Sequence, residues 1–115
     1  LDALALNEAH GTGTALGDPI EAGSLVSAVL SARQKALAVG GVKASIGHAE
    51  PAAGTVGLLR LTLSLRRGLG PPNAQLRSLN PLVGNTLLRV ASALPEQLVR
   101  VRVGCSASSR LSGDD

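Results

Sequence analysis

The chain has 115 residues, 44% of them hydrophobic, yet contains no Phe, Tyr, Trp or Met, so its core must be built from Leu, Val, Ile and Ala. Eleven Lys+Arg against 8 Asp+Glu give a net charge of +3, but the basic residues are scattered, no recognition motif accompanies them and no ring is available to stack on bases, which argues against nucleic-acid binding. One cysteine, Cys105, excludes an internal disulfide and fits a reducing, cytoplasmic (or organellar) location, while the lack of any run of ~18 apolar residues or of a basic-then-apolar N-terminus argues against a membrane or secretory segment.

At this length one domain is the upper bound, and a small core without aromatic rings is marginal, so part of a larger domain is expected. "ALALNEAH" predicts a buried strand ending at His10, followed by the turn "GTGTALG". A helix follows, with Asp18 as its cap, Pro19 at its first position, Glu21 closing a capping box, and Ala22, Leu25, Val26 and Val29 on its apolar face. "ALAVGGVKASIGH" predicts a second strand leading to His48, and "EPAAGTVGLLRLTLSLRRG" a second helix with Pro51 near its start and Gly68 as its C-cap. No charge falls between Pro51 and Leu59, so that half of the helix is expected to be buried all round, with Gly54 and Gly57 admitting another backbone. The segment from "GLGPPN" to "LNPLVGN" is expected to be loop because of Pro71, Pro72 and Pro81, and "LLRVASAL" and "VRVRV" to be short strands. No pattern can be assigned to "SASSRLSGDD". Alternating β and α elements indicate a layered α/β fold.

Three readings of the glycine turn compete. A dinucleotide fingerprint would need G-x-G-x-x-G, but Gly17 falls one place late, and no Ser or Thr follows Lys43 as in a P-loop. Zinc binding would need His10 and His48 to be joined by Asp18, Glu21 or Glu50, none at the close spacing of such sites. Two satisfied core histidines are the plainest alternative. Each, however, stands at the carboxyl end of a strand opening onto a helix, where open α/β sheets place their ligands.

"EAHGTGTALGDPIEAG" and "VKASIGHAEPAAG" resemble the two histidine motifs of β-ketoacyl synthases, in the form found in polyketide synthase ketosynthase domains, and "PPNAQLRSLNPLV" resembles the segment that follows them. The resemblance is good over residues 1–83 and degenerate over 104–115. It implies the C-terminal half of a thiolase-like layered fold, and decarboxylative Claisen condensation of acyl and malonyl units carried on the phosphopantetheine of an acyl carrier protein. No directly bound cofactor and no metal are implied. His10 and His48 then take the role of paired N–H donors to the enolate oxygen. Lys43 matches the family's active-site lysine, Glu21 the acidic residue that pairs with it and orients the imidazoles, and Thr12 and Thr14 the threonines lining the pantetheine passage. The implied partners are an acyl carrier protein, the N-terminal half of the ketosynthase and a second subunit in a homodimer.

Three departures qualify the match. The family's nucleophilic cysteine belongs to the N-terminal half, and Cys105 does not replace it but is expected to fill the core. Ser45 stands where the family has asparagine, implying a looser loop at His48. The family's closing Phe-Gly…Gly-Thr-Asn turn is replaced by "SASSRLSGDD". The alternative is a non-catalytic ketosynthase-like piece that only packs against a partner.

Overall fold

The computed structural model describes residues 3–74, 78–87, 89–95, 97 and 99–101. In chain order the elements are β1 (Leu6–Glu8), α1 (Gly17–Ala28), β2 (Leu37–Gly40), α2 (Lys43–Ile46), α3 (Ala53–Arg67), β3 (Leu69–Gly70), α4 (Pro81–Leu87), β4 (Ser92–Ala93) and β5 (Val99–Arg100), with 3₁₀ turns at Leu30–Ala32 and Glu50–Ala52.

β2 lies between β1 and β4, parallel to both, with Leu6 opposite Ala38, Glu8 opposite Gly40 and Leu37 opposite Ser92. A central strand loses water on both faces, and β2 is buried along its whole length, which is why it reads as an apolar run without alternation. α1 is the crossover between β1 and β2. Its apolar face closes on α4 and β2: Ala22, Leu30, Leu37, Val83 and Leu87 form the core, with Leu25, Val26, Val29, Leu79, Val90 and Leu94 packed against it. Leu30 and Leu37 are the largest side chains fully withdrawn from water, each contributing about 1.5–3 kcal/mol. β3 and β5 form a separate antiparallel pair.

Several expectations are corrected. The strands are shorter than the apolar runs, because the chain turns at Ala9 and Gly41 to form the two loops. α2 is a single unforeseen turn after β2. Residues 81–87 are helical: Pro81 occupies the first helical position, where the missing N–H has no intrahelical partner to lose, and the Asn80 carboxamide oxygen accepts the Leu82 N–H at 2.9 Å. Among the described residues of "LLRVASAL", Ser92–Ala93 alone are strand.

α1 begins at Gly17, a residue early, and Asp18 does not cap it. The Thr14 hydroxyl accepts the Gly17 N–H at 3.0 Å instead, and the Asp18 carboxylate accepts that of Gly13 at 3.1 Å. The α3 C-cap is Gly68, left-handed as expected. Gly57 faces the Glu8 stem rather than a backbone. The first half of α3 is uncovered in this chain, with Leu58 and Leu59 65% and 57% exposed. Residues 102–103 of "VRVRV", Cys105 and "SASSRLSGDD" lie outside the described residues.

Candidate active site

Two loops leave the carboxyl ends of neighbouring parallel strands and meet. The first follows β1, whose ladder extends one bond further, Ala9 N–H donating to the Gly40 carbonyl at 2.7 Å. His10 comes next, and the chain reverses through Gly11 and Gly13, both at positive φ (49° and 76°), a region open to glycine at little cost. Glu21, reaching back from α1, accepts the His10 N–H at 2.6 Å and the Gly11 N–H at 2.9 Å with its two carboxylate oxygens. The loop is thereby tied to the helix by charge-assisted bonds, among the stronger kinds.

The second loop follows β2. Lys43, at the start of α2, donates from Nζ to the His10 carbonyl and lies 3.4 Å from His10 Nδ1. Lys43 and Glu21 therefore grip opposite ends of one residue's backbone. In place of the direct Lys43–Glu21 pair implied by the family resemblance, both Glu21 oxygens accept peptide N–H groups and Lys43 turns to His10.

His48 lies between α2 and α3. Its Nδ1 accepts the Glu50 N–H at 2.9 Å, and Glu50 is the one described non-glycine residue at positive φ (44°). This conformation costs about 1 kcal/mol or more, and here it accompanies the N–H that faces the imidazole. With Nδ1 accepting, the ring hydrogen of His48 is assigned to Nε2. The rings stand 5.9 Å apart between centroids, at 87°, and both are exposed. A cavity of about 830 Å³ is lined by Thr12, Lys43 and His48 together with Leu25, Val83 and Leu87. The Thr12 and Thr14 hydroxyls lie 3.4 Å apart. Ser45 is exposed; the α2 turn that carries it is closed by backbone bonds, Ser45 N–H to Val42 O at 2.9 Å and Gly47 N–H to Lys43 O at 2.8 Å.

Behind the loops lie three residues to which the sequence assigned no role. Glu8 accepts the Val42 N–H at 2.5 Å and pairs with Arg60 at 2.7 Å, and the Asn73 carboxamide accepts the Gly41 N–H at 2.9 Å. The partners of these groups are remote in sequence, so no local signal pointed to them.

Residues 2–77 match the family "Beta-ketoacyl synthase, C-terminal domain". The chain belongs to this β-ketoacyl synthase family. A highly reducing polyketide synthase of Cordyceps militaris is 43% identical over 97 residues, covering 81% of this chain and 4% of that protein. An erythronolide synthase of Saccharopolyspora erythraea is 46% identical over 74 residues, covering 64% of this chain and 2% of that protein. Among solved structures, an oxazolomycin ketosynthase domain of Streptomyces albus superposes with a TM-score of 0.76 at 36% identity, and ketosynthase twelve of the bacillaene synthase of Bacillus amyloliquefaciens with 0.79 at 30%. These matches cover 86% and 88% of this chain and 18% of each ketosynthase. The layered α/β arrangement is thus the thiolase-like fold of ketosynthases, and this β-ketoacyl synthase segment spans a small share of the proteins it matches. Among its described residues, no group of three or more His, Cys, Asp or Glu is placed to hold a metal ion, and no helix is long and apolar enough to cross a membrane.

Proposed function

We propose that this chain supplies the two imidazole donors of a polyketide synthase ketosynthase that performs decarboxylative condensation. The observation that carries the reading is the pairing of His10 with His48, each with Nδ1 turned to a donor and Nε2 left for a ligand. In the reaction a cysteine thiolate takes an acyl group from the phosphopantetheine arm of one acyl carrier protein, releasing the carrier thiol. A malonyl thioester then loses CO2: the bond to the carboxylate breaks, and its electron pair passes into an enolate whose charge rests on the thioester oxygen. Two fixed N–H donors at that oxygen stabilise the charge as it develops and need no reorganisation. The enolate carbon attacks the acyl thioester, the new carbon–carbon bond forms and the cysteine thiolate leaves.

His10 and His48 are the catalytic residues of this half of the site. Lys43 holds the His10 ring and carbonyl, Glu21 holds the His10 and Gly11 backbone, and Thr12 and Thr14 flank the passage for the pantetheine arm beside the cavity. The partners are an acyl carrier protein, the remainder of the ketosynthase, which supplies the thiolate, and a second ketosynthase subunit; the setting is cytoplasmic.

The test uses a complete synthase carrying this segment. His48→Ala is expected to cut CO2 release from malonyl carrier protein while acyl-enzyme formation, followed by mass spectrometry, persists. Lost loading with intact CO2 release would assign His48 to another step. Supplied alone with acylated and malonylated carrier protein, the chain is expected to give no ketoacyl product, since Cys105 is its only cysteine. Turnover by the chain alone would refute that part of the reading.

A further inference from the structure

The ion pair between Glu8 and Arg60 is nearly dry, with side chains 6% and 10% exposed. Burying two charges costs several kcal/mol per ion, and a well-packed apolar pair is often as stable or more so. Stability alone is therefore a poor reason for placing this pair under the loops. Its full set of partners suggests another. One Glu8 oxygen meets Arg60 at 2.7 Å and the other accepts the Val42 N–H at 2.5 Å. The second Arg60 nitrogen faces the Pro72 and Pro71 carbonyls at 3.4 and 3.5 Å, and the guanidinium passes so close to Gly40 that a Cβ there would lie 3.1 Å from it. Two residues beyond Pro71, the Asn73 carboxamide oxygen accepts the Gly41 N–H at 2.9 Å, and its nitrogen donates to Val39 O at 3.0 Å and Pro95 O at 3.4 Å. The peptide N–H groups of Gly41 and Val42 are thus each seated on a different side chain, directly before Lys43.

We propose that Glu8, Arg60 and Asn73 are positioning residues, which seat the Gly41–Val42 turn and thereby aim Lys43 at His10. A lysine side chain has much rotamer freedom to lose, so its ammonium keeps one target only if its base is fixed. A polar network with every member satisfied is rigid in this sense, because any displacement leaves a buried group unpaired. The inference rests on the reading of His10 as a donor in the condensation. It adds that the aim of Lys43 is set from beneath the loops.

The test is a double-mutant cycle in the complete synthase. Glu8→Gln keeps the shape of the side chain but has one acceptor oxygen for two donors. It is expected to lower CO2 release roughly ten- to a hundredfold, as a small misplacement near the chemistry does. Acyl loading should persist, and in a Lys43→Ala background the same change should cost nothing more. Equal losses in both backgrounds would make the network merely structural, and no loss in the native background would overturn the proposal outright. The pair Glu8→Leu with Arg60→Met removes both charges together, so that neither is left buried alone. It is expected to melt near the native temperature yet decarboxylate slowly. A folded double variant working at the native rate overturns the proposal, as does loss of the fold in both variants. His10→Ala serves as the reference: if it retains CO2 release, the donor reading fails, whereas if it loses release and Glu8→Gln does not, the positioning role alone fails.

Discussion

The rings of His10 and His48 stand at 87°, their centroids 5.9 Å apart, and each Nδ1 is engaged from within the protein, one by the Lys43 ammonium and the other by the Glu50 N–H. In both rings it is thus Nδ1 that is engaged, although they belong to different loops. If both serve one oxygen, they work as a unit. Replacing either by Ala in a complete synthase should lower the decarboxylation rate by roughly 10²–10³. The double replacement should be little worse than either single one. Multiplicative losses, measured as CO2 release, would mean that the rings serve different atoms.

Glu21 makes a separate expectation possible. Its two oxygens hold the His10 and Gly11 N–H groups, so Glu21→Ala should destabilise the folded domain by about 1–3 kcal/mol, the usual range for bonds to a charged group. Glu21→Gln, with one acceptor oxygen, should fall between. Denaturant melts of the complete domain read the difference, and a native melt for Glu21→Ala would show that the carboxylate does not secure the turn.

The two threonines should part company in stability. Thr14, two residues before the N-cap position Leu16, secures the start of α1 by accepting the Gly17 N–H, so Thr14→Ala should cost about 1 kcal/mol, the usual worth of one hydrogen bond. Thr12→Ala, whose hydroxyl meets only that of Thr14, should stay within about 0.5 kcal/mol of the native melt. A Cβ at Gly17 would lie 2.4 Å from the Thr14 hydroxyl. Gly17→Ala should therefore dislodge this bond and add little to Thr14→Ala; full additivity would argue against this role of Thr14.

The outer face of α3 sets a fourth expectation. Leu58, Leu59, Leu63 and Leu65 are exposed, and contiguous apolar surface left open to water favours association. Expressed alone, the chain should associate with rising concentration in sedimentation velocity, and Leu58→Lys should weaken this. Leu58→Ala should scarcely change the melt of the chain alone but cost about 2–5 kcal/mol in the complete ketosynthase, where the remainder of the domain is expected to cover that face. Equal effects in the two settings would mean that α3 stays uncovered.

How much of this was legible in the sequence depended on range. β2 and the apolar face of α1 could be read because burial and periodicity are local signals. Gly68 was legible as a cap because a left-handed residue at a helix end favours glycine. α4 was misread: three prolines suggested loop, although Asn80 followed by Pro81 is itself a helix start, with the capping acceptor and the donor-free residue side by side. Both histidines and Lys43 stood out by motif, and they lie beside one another in the fold. The attachment of Glu21 to the backbone of His10 and Gly11 could not be read, since its partners lie on the far side of a turn whose path only the folded chain defines. The same holds for Glu8, Arg60 and Asn73, which find their partners across the sheet and from α3.

The parallel pairing of β1 with β2 has a consequence for the dimensions of the candidate site. His10 and Lys43 rise from the ends of strands whose separation is fixed by backbone hydrogen bonding at about 4.8 Å, and the ladder persists as far as Ala9 and Gly40. The gauge on which the two loops are mounted is therefore inherited from the length of a peptide hydrogen bond rather than tuned by side chains. Such a gauge cannot drift with surface substitution. The site can be re-aimed one loop at a time, while the rails beneath it keep their spacing.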